Sequence, residues 1–156
     1  MKADPRVIAD LQTSCQVLST MVGQYRVDVI QLEGIDLDWL KHRVAKWYGA
    51  CEHHLEVILK RIGFFEVDVA YQPGPVAAGG NVTDLLTREL AAAQAAFDQF
   101  CLFRKNSWNV RADGVPDIYE HAIQALEHQI FKIERELRLI QGMGVADYIG
   151  ARMEDG

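Results

Sequence analysis

The sequence predicts an all-α protein, a bundle of four long helices with one long crossover between the second and third and a short fifth helix at the C-terminal end. Three observations predict it. Apolar residues recur at spacings of three and four along most of the chain, no segment alternates as a strand would, and one proline- and glycine-rich stretch divides the helical pattern into two pairs.

The first helix is expected from about residue 5 to Gly34. Asp4 offers a side-chain cap and Pro5 a first-turn residue whose missing N–H costs nothing. Val7/Ile8, Leu11, Cys15, Leu18, Val22, Tyr25, Val29 and Leu32 then draw one apolar stripe. Asp36 or Asp38 is the expected cap of the second helix. Its inner stripe is Leu40, Val44, Trp47/Tyr48, Cys51, His54/Leu55, Ile58, Ile62 and Phe65. Residues Val67 to Gly80 are too rich in Pro and Gly for a helix and long enough to cross the end of a bundle.

Asn81 with Asp84 resembles a cap and its first-turn acid, and the third helix continues through Leu85/Leu86, Leu90, Ala93, Phe97, Phe100 and Arg104 to about Val110. Its run Ala91 to Ala96 favours helix and permits close approach. Arg111 to Pro116 breaks the chain, and Pro116 starts a fourth helix with Tyr119, Ala122, Leu126, Gln129/Ile130, Ile133, Leu137 and Ile140 inside. Gly142 and Gly144 stop it, and Val145 to Met153 form the fifth. Helices of these lengths are each about 40 Å long.

At 156 residues the chain is expected to be a single domain over 1–156, and its composition, 49% apolar and 24% charged, is that of an ordinary globular protein. A net charge of -6 disfavours nucleic acid as a partner. No apolar run reaches about 18 residues and no leader pattern opens the chain, so neither a membrane span nor export is expected, and the expected location is cytoplasmic. Cys15, Cys51 and Cys101 are odd in number and scattered through helical patterns, which fits a reduced compartment better than a disulfide framework.

One stretch carries chemistry, Tyr48-Gly-Ala-Cys51-Glu-His-His54-Leu-Glu-Val-Ile58 on the second helix. Cys51 and His54 stand one turn apart and point inward. With the first two helices antiparallel, Cys15 is expected within about one turn of His54, and Cys15, Cys51 and His54 together would make a soft site for zinc or cuprous copper. The plainer alternative is that the cysteines are small core residues and His54 hydrogen-bonds Gln129 or Tyr25. On the fourth helix His121 and His128, with Glu120, Glu127 and Glu134, form either a solvated face or the lining of a pore that guides cations. His42, His53, Glu52 and Glu56 are expected at an interface or in solvent, and Cys101, Trp47, Trp108 and the third-helix phenylalanines in packing or subunit contacts. No glycine-rich phosphate loop and no serine–histidine–acid arrangement is present.

The two ends of the chain resemble the bacterioferritin family of the ferritin-like superfamily. Met1-Lys-Ala-Asp4 with Val7-Ile8, Leu11 and Gln24-Tyr25 is similar to that family's first helix, and Glu136-Leu-Arg-Leu-Ile-Gln-Gly-Met-Gly144 followed by Tyr148 to its exit from the fourth. The resemblance implies a ferritin-like bundle assembled into a hollow 24-subunit shell that oxidises and stores iron. It also implies a di-iron centre built from one Glu on the first helix, one on the third, and a Glu-x-x-His on each of the others, with haem on a second-helix methionine. In this sequence those ligand positions are Leu18, Cys51 and His54, Ala93, and Leu126 and Gln129, and the haem position is Glu52.

Only His54 keeps its type, so the di-iron centre is expected to be degenerate and haem at Glu52 is disfavoured. The expected function is a shell subunit for iron storage that has lost its own ferroxidase activity and co-assembles with a catalytically intact bacterioferritin, iron reaching it through the shell. The alternatives are a repurposed cage or dimer holding a soft metal or haem, and a purely structural subunit.

Overall fold

The computed structural model describes residues 3–155, so Met1 and Lys2 of the N-terminal motif lie outside the described residues. These residues form α1 (Pro5–Gly34), α2 (Asp38–Phe64), α3 (Val82–Asn109), α4 (Val115–Met143) and α5 (Val145–Asp155), with no strand among them. The expected all-helical class is therefore observed.

Local chemistry sets most boundaries where the spacing puts them. Asp4 Oδ1 accepts from the Arg6 N–H at 2.8 Å, with Pro5 in the first turn of α1. Asn81 and Asp84 close a capping box on α3, Asn81 Oδ1 accepting from Asp84 N at 3.0 Å and Asp84 Oδ2 from Asn81 N at 2.9 Å. The start of α2 differs from expectation, because neither Asp36 nor Asp38 caps it. Leu37 takes the cap position without a side-chain bond, Asp36 turns the chain at φ 56°, and Asp38 is already helical. The cause is packing: Leu37 is buried and its N–H bonds Leu32 O at 3.0 Å, which fixes the turn from inside.

At the other end of the bundle Gly114 (φ 79°) precedes Val115, the first residue of α4. A Cβ there would meet only the movable end of the Arg61 side chain, so it is the positive φ that calls for glycine in the α3–α4 turn. Gly142 lies inside α4, and Gly144 (φ 86°) ends it.

Side-chain bonds fix the register of the helices. Arg26 Nη2 donates to Tyr48 Oη at 2.9 Å across α1 and α2, while Asn106 Nδ2 donates to Asp10 Oδ2 at 3.1 Å across α1 and α3. Ser14 Oγ and Tyr119 Oη are 2.9 Å apart, and Gln129 Nε2 bonds Tyr25 Oη, both across α1 and α4. Positions thus descend along α2 and α3 as they rise along α1, and rise together with it along α4. Helices α2 and α3 are antiparallel to α1, and α4 is parallel to it.

Residues 65–81 must accordingly return along the whole bundle rather than across its end. They lie on α1: Gln12 bonds Asp68 O and Ala70 N, Thr20 Oγ1 accepts from Gly74 N at 2.6 Å, Gln24 bonds both N–H and C=O of Ala77, and Gln31 donates to Gly80 O at 3.0 Å. Polar side chains of one α1 face satisfy the backbone of a segment that has no secondary structure of its own.

Helix α5 is clasped onto α2 and α4. Tyr148 Oη donates to Glu136 Oε2 at 2.7 Å, Arg152 grips the same carboxylate at 2.8 and 3.0 Å, and the guanidinium lies 3.7 Å from the ring centre of Trp39. No helix among the described residues is long and apolar enough to cross a membrane.

Candidate functional site

Midway along the bundle each of the four long helices turns a polar or thiol side chain into the core. Tyr25 and Asp28 come from α1, Cys51 from α2, Glu89 from α3 and Gln129 from α4, and all five are buried. Gln129 donates to the Tyr25 hydroxyl, which stands beside the Cys51 thiol. Asp28 Oδ1 accepts from Gln24 Nε2 at 2.9 Å and lies 3.9 Å from Arg88 Nη2.

Burial dominates the electrostatics of this layer. It pushes the Cys51 thiol up to about 12, against the Tyr25 hydroxyl that would stabilise a thiolate, and it holds the Tyr25 phenol well above its ordinary value, helped by the charges of Cys51 and Glu89. Glu89 is raised well above the usual carboxylate range, first by burial and then by the hydrogen bond and charge of Asp28. As a carboxylate Glu89 would have no donor for either oxygen, and Asp28 Oδ2 would have none. As an acid it donates to Asp28, so protonation of Glu89 completes the pair. With Glu89 protonated the layer holds a thiol, a phenol, a carboxylic acid and an amide, with Asp28 balanced by Arg88.

The residues expected to bind a soft metal are not brought together. With Tyr25 beside Cys51, the antiparallel register puts His54 opposite about residue 22 and Cys15 opposite about residue 61, roughly 10 Å of helix rise from His54. Cys15 faces Tyr119 instead, and no three His, Cys, Asp or Glu side chains among the described residues gather as a metal-ion cluster. His54 is half-buried and its pKa is lowered by burial, then by His53 and His121, so it is a neutral imidazole turned toward α4. Gln129 and Tyr25 bond each other and not His54.

The positions expected to be degenerate iron ligands do face inward: Leu18, Cys51, Ala93, Leu126 and Gln129 are buried. Leu18, Ala93 and Leu126 carry no donor atom, and Cys51 is held as a thiol, so these residues do not fit a di-iron centre. Glu52 is exposed on α2, where it accepts from the Tyr48 hydroxyl at 2.9 Å. His42, His53, Glu56, His121 and His128 are exposed, and Glu120 pairs with Arg104. Trp47 is buried, Trp108 exposed, and Cys101 partly exposed.

Sequence reading missed Asp28, Glu89 and Glu136, three acids among the buried residues. The signal was available in spacing: Asp28 follows Tyr25 by three, Glu89 precedes Ala93 by four, and Glu136 follows Ile133 by three, each on an apolar stripe.

The thiols give a direct check of this geometry. In the native protein a thiol-alkylating reagent is expected to label Cys101 and to leave Cys15, pushed up to about 11, and Cys51 intact until denaturant is added. Fast native labelling of all three would contradict the burial of the layer. No protein-family model matches the chain, and no curated protein matches it.

Proposed function

We propose that the chain is a bacterioferritin-like shell subunit for iron storage that carries no working ferroxidase centre and relies on a catalytically intact partner subunit to oxidise the iron. One observation carries the reading. At the positions where the bacterioferritin-like ends of the sequence imply iron ligands, the core holds Leu18, Cys51, Ala93, Leu126 and Gln129, buried and sealed by the Gln129–Tyr25 bond. Filling ligand positions with hydrocarbon removes the repulsion that clustered carboxylates suffer without metal, and this favours a subunit whose work is structural.

The arrangement of helices supports the ferritin-like part of the reading. Two antiparallel hairpins, a crossover running the length of α1 and a short clasped α5 are the plan that the resemblance implies. Haem at Glu52 is disfavoured, because an exposed carboxylate paired with Tyr48 and Arg26 is a poor replacement for a thioether.

The test has two arms. Purified alone, the protein is expected to oxidise ferrous iron with oxygen no faster than buffer does, and to form a large closed assembly by native mass spectrometry. Co-expressed with an intact bacterioferritin, it is expected in mixed shells. Rapid oxygen-dependent turnover would overturn the first half, and a monomer in both preparations the second.

A further inference from the structure

We infer that Asp28 and Glu89 form a proton-sharing joint between the α1–α2 and α3–α4 hairpins, and that removing the shared proton loosens the crossover above it. The two carboxyl groups project from opposite hairpins, and both residues are 0% exposed. Three of their four oxygens meet no N–H or O–H donor, so a proton held between them is what satisfies the contact.

The groups facing the pair can be named from every side. Tyr25 comes from α1, Cys51 from α2, Arg88 from α3, and the neutral Gln129 from α4 beyond Tyr25. Tyr25 and Cys51 are both held neutral by burial, so Arg88 is the one formal positive charge at the joint. It approaches Asp28 only to 3.9 Å, and can balance one carboxylate but not two.

The same side chains hold the crossover. Gln24, which donates to Asp28, also bonds both backbone groups of Ala77. Arg88 donates to Gly79 O at 3.1 Å, and Gln31, one turn beyond Asp28, to Gly80 O at 3.0 Å. Two buried negative charges at this point would part α1 from α3 and draw Gln24 and Arg88 away from residues 77–79. The joint thus couples proton occupancy to the grip on the crossover.

The sign follows from linkage. Both carboxyls are raised above their ordinary values, 3.8 for Asp28 and 4.5 for Glu89, so the folded state binds the proton more tightly than the unfolded chain does. The stabilisation is complete below those ordinary values and is lost as pH rises through the folded ones. Glu89→Gln places a permanent amide donor beside Asp28 and removes the proton dependence.

Melting temperature and amide hydrogen exchange between about pH 5 and about pH 9, in wild type and Glu89→Gln, test the inference. Wild type is expected to lose melting temperature relative to the variant as pH rises. Its Ala77 amide, which donates to Gln24, is expected to lose protection beyond the intrinsic rate increase, while that of Glu89→Gln keeps its own. Parallel profiles in the two proteins would overturn the joint. If the variant does not fold, infrared spectroscopy of the wild type decides: a protonated carboxylic acid band at neutral pH that fades on alkalinisation supports it, and no such band overturns it.

Discussion

Tyr119→Ala is expected to cost about 4 kcal/mol of stability, the upper part of the range for truncating a large buried side chain. Tyr119 is fully buried on α4, with ring centres 5.7 Å from Phe100 and 5.9 Å from Phe103 of α3. Its hydroxyl meets Ser14 of α1 at 2.9 Å. Ser14 already donates to Asp10 O at 2.8 Å, so Tyr119 is the donor in that bond. One side chain therefore ties three helices together, and truncation leaves a cavity where two aromatic rings lose their common neighbour. Tyr119→Phe keeps the packing and strands only the Ser14 acceptor, for a loss of about 1 kcal/mol. Chemical denaturation of the two variants checks both values, and equal losses would mean that the hydroxyl rather than the ring carries the contact.

Glu136→Ala is expected to cost about 3 kcal/mol and to release α5 from the bundle. The carboxylate is buried, takes hydrogen bonds from Tyr148 and Arg152, and is the point where the C-terminal helix is held. Alanine leaves a half-buried guanidinium and a buried phenol facing an empty space. Because α5 follows the four long helices and is held on α4 and α2, it can detach without unfolding them, which limits the global loss to the free energy of docking. Hydrogen exchange is therefore the sharper readout: amides of α5 are expected to lose protection while those of α1 keep theirs. A variant that melts within about 0.5 kcal/mol of wild type with α5 still protected would sink this account of the clasp.

The helices were legible in the sequence because each buries a stripe at helical spacing, and Asp4, Asn81, Gly114 and Gly144 mark their ends with local chemistry. The start of α2 was not, since Leu37 sets it by entering the core and a tertiary contact outranks the capping preference of its acidic neighbours. The same turn fixes the register of α1 against α2, which spacing alone leaves free. That is why Cys15 was expected near His54 and lies instead near Tyr119. The central layer was half legible. Tyr25, Cys51 and Gln129 sit on stripes and were read as core, whereas Asp28 and Glu89 were overlooked because an acid becomes an acceptable core residue only when a partner on another helix supplies its proton or its donor.

The path of residues 65–81 along α1 has a consequence for how the chain folds. Each hairpin joins helices that are neighbours in sequence and can form early, while docking one hairpin on the other must close the longest loop in the protein. Two helical hairpins joined by one long segment have two mirror-related docking orders open to them in principle. Only one order carries the connecting segment across the face that presents Gln12, Thr20, Gln24 and Gln31, where its backbone finds partners. The crossover thus favours the observed handedness, because in this order its peptide groups find their partners on α1.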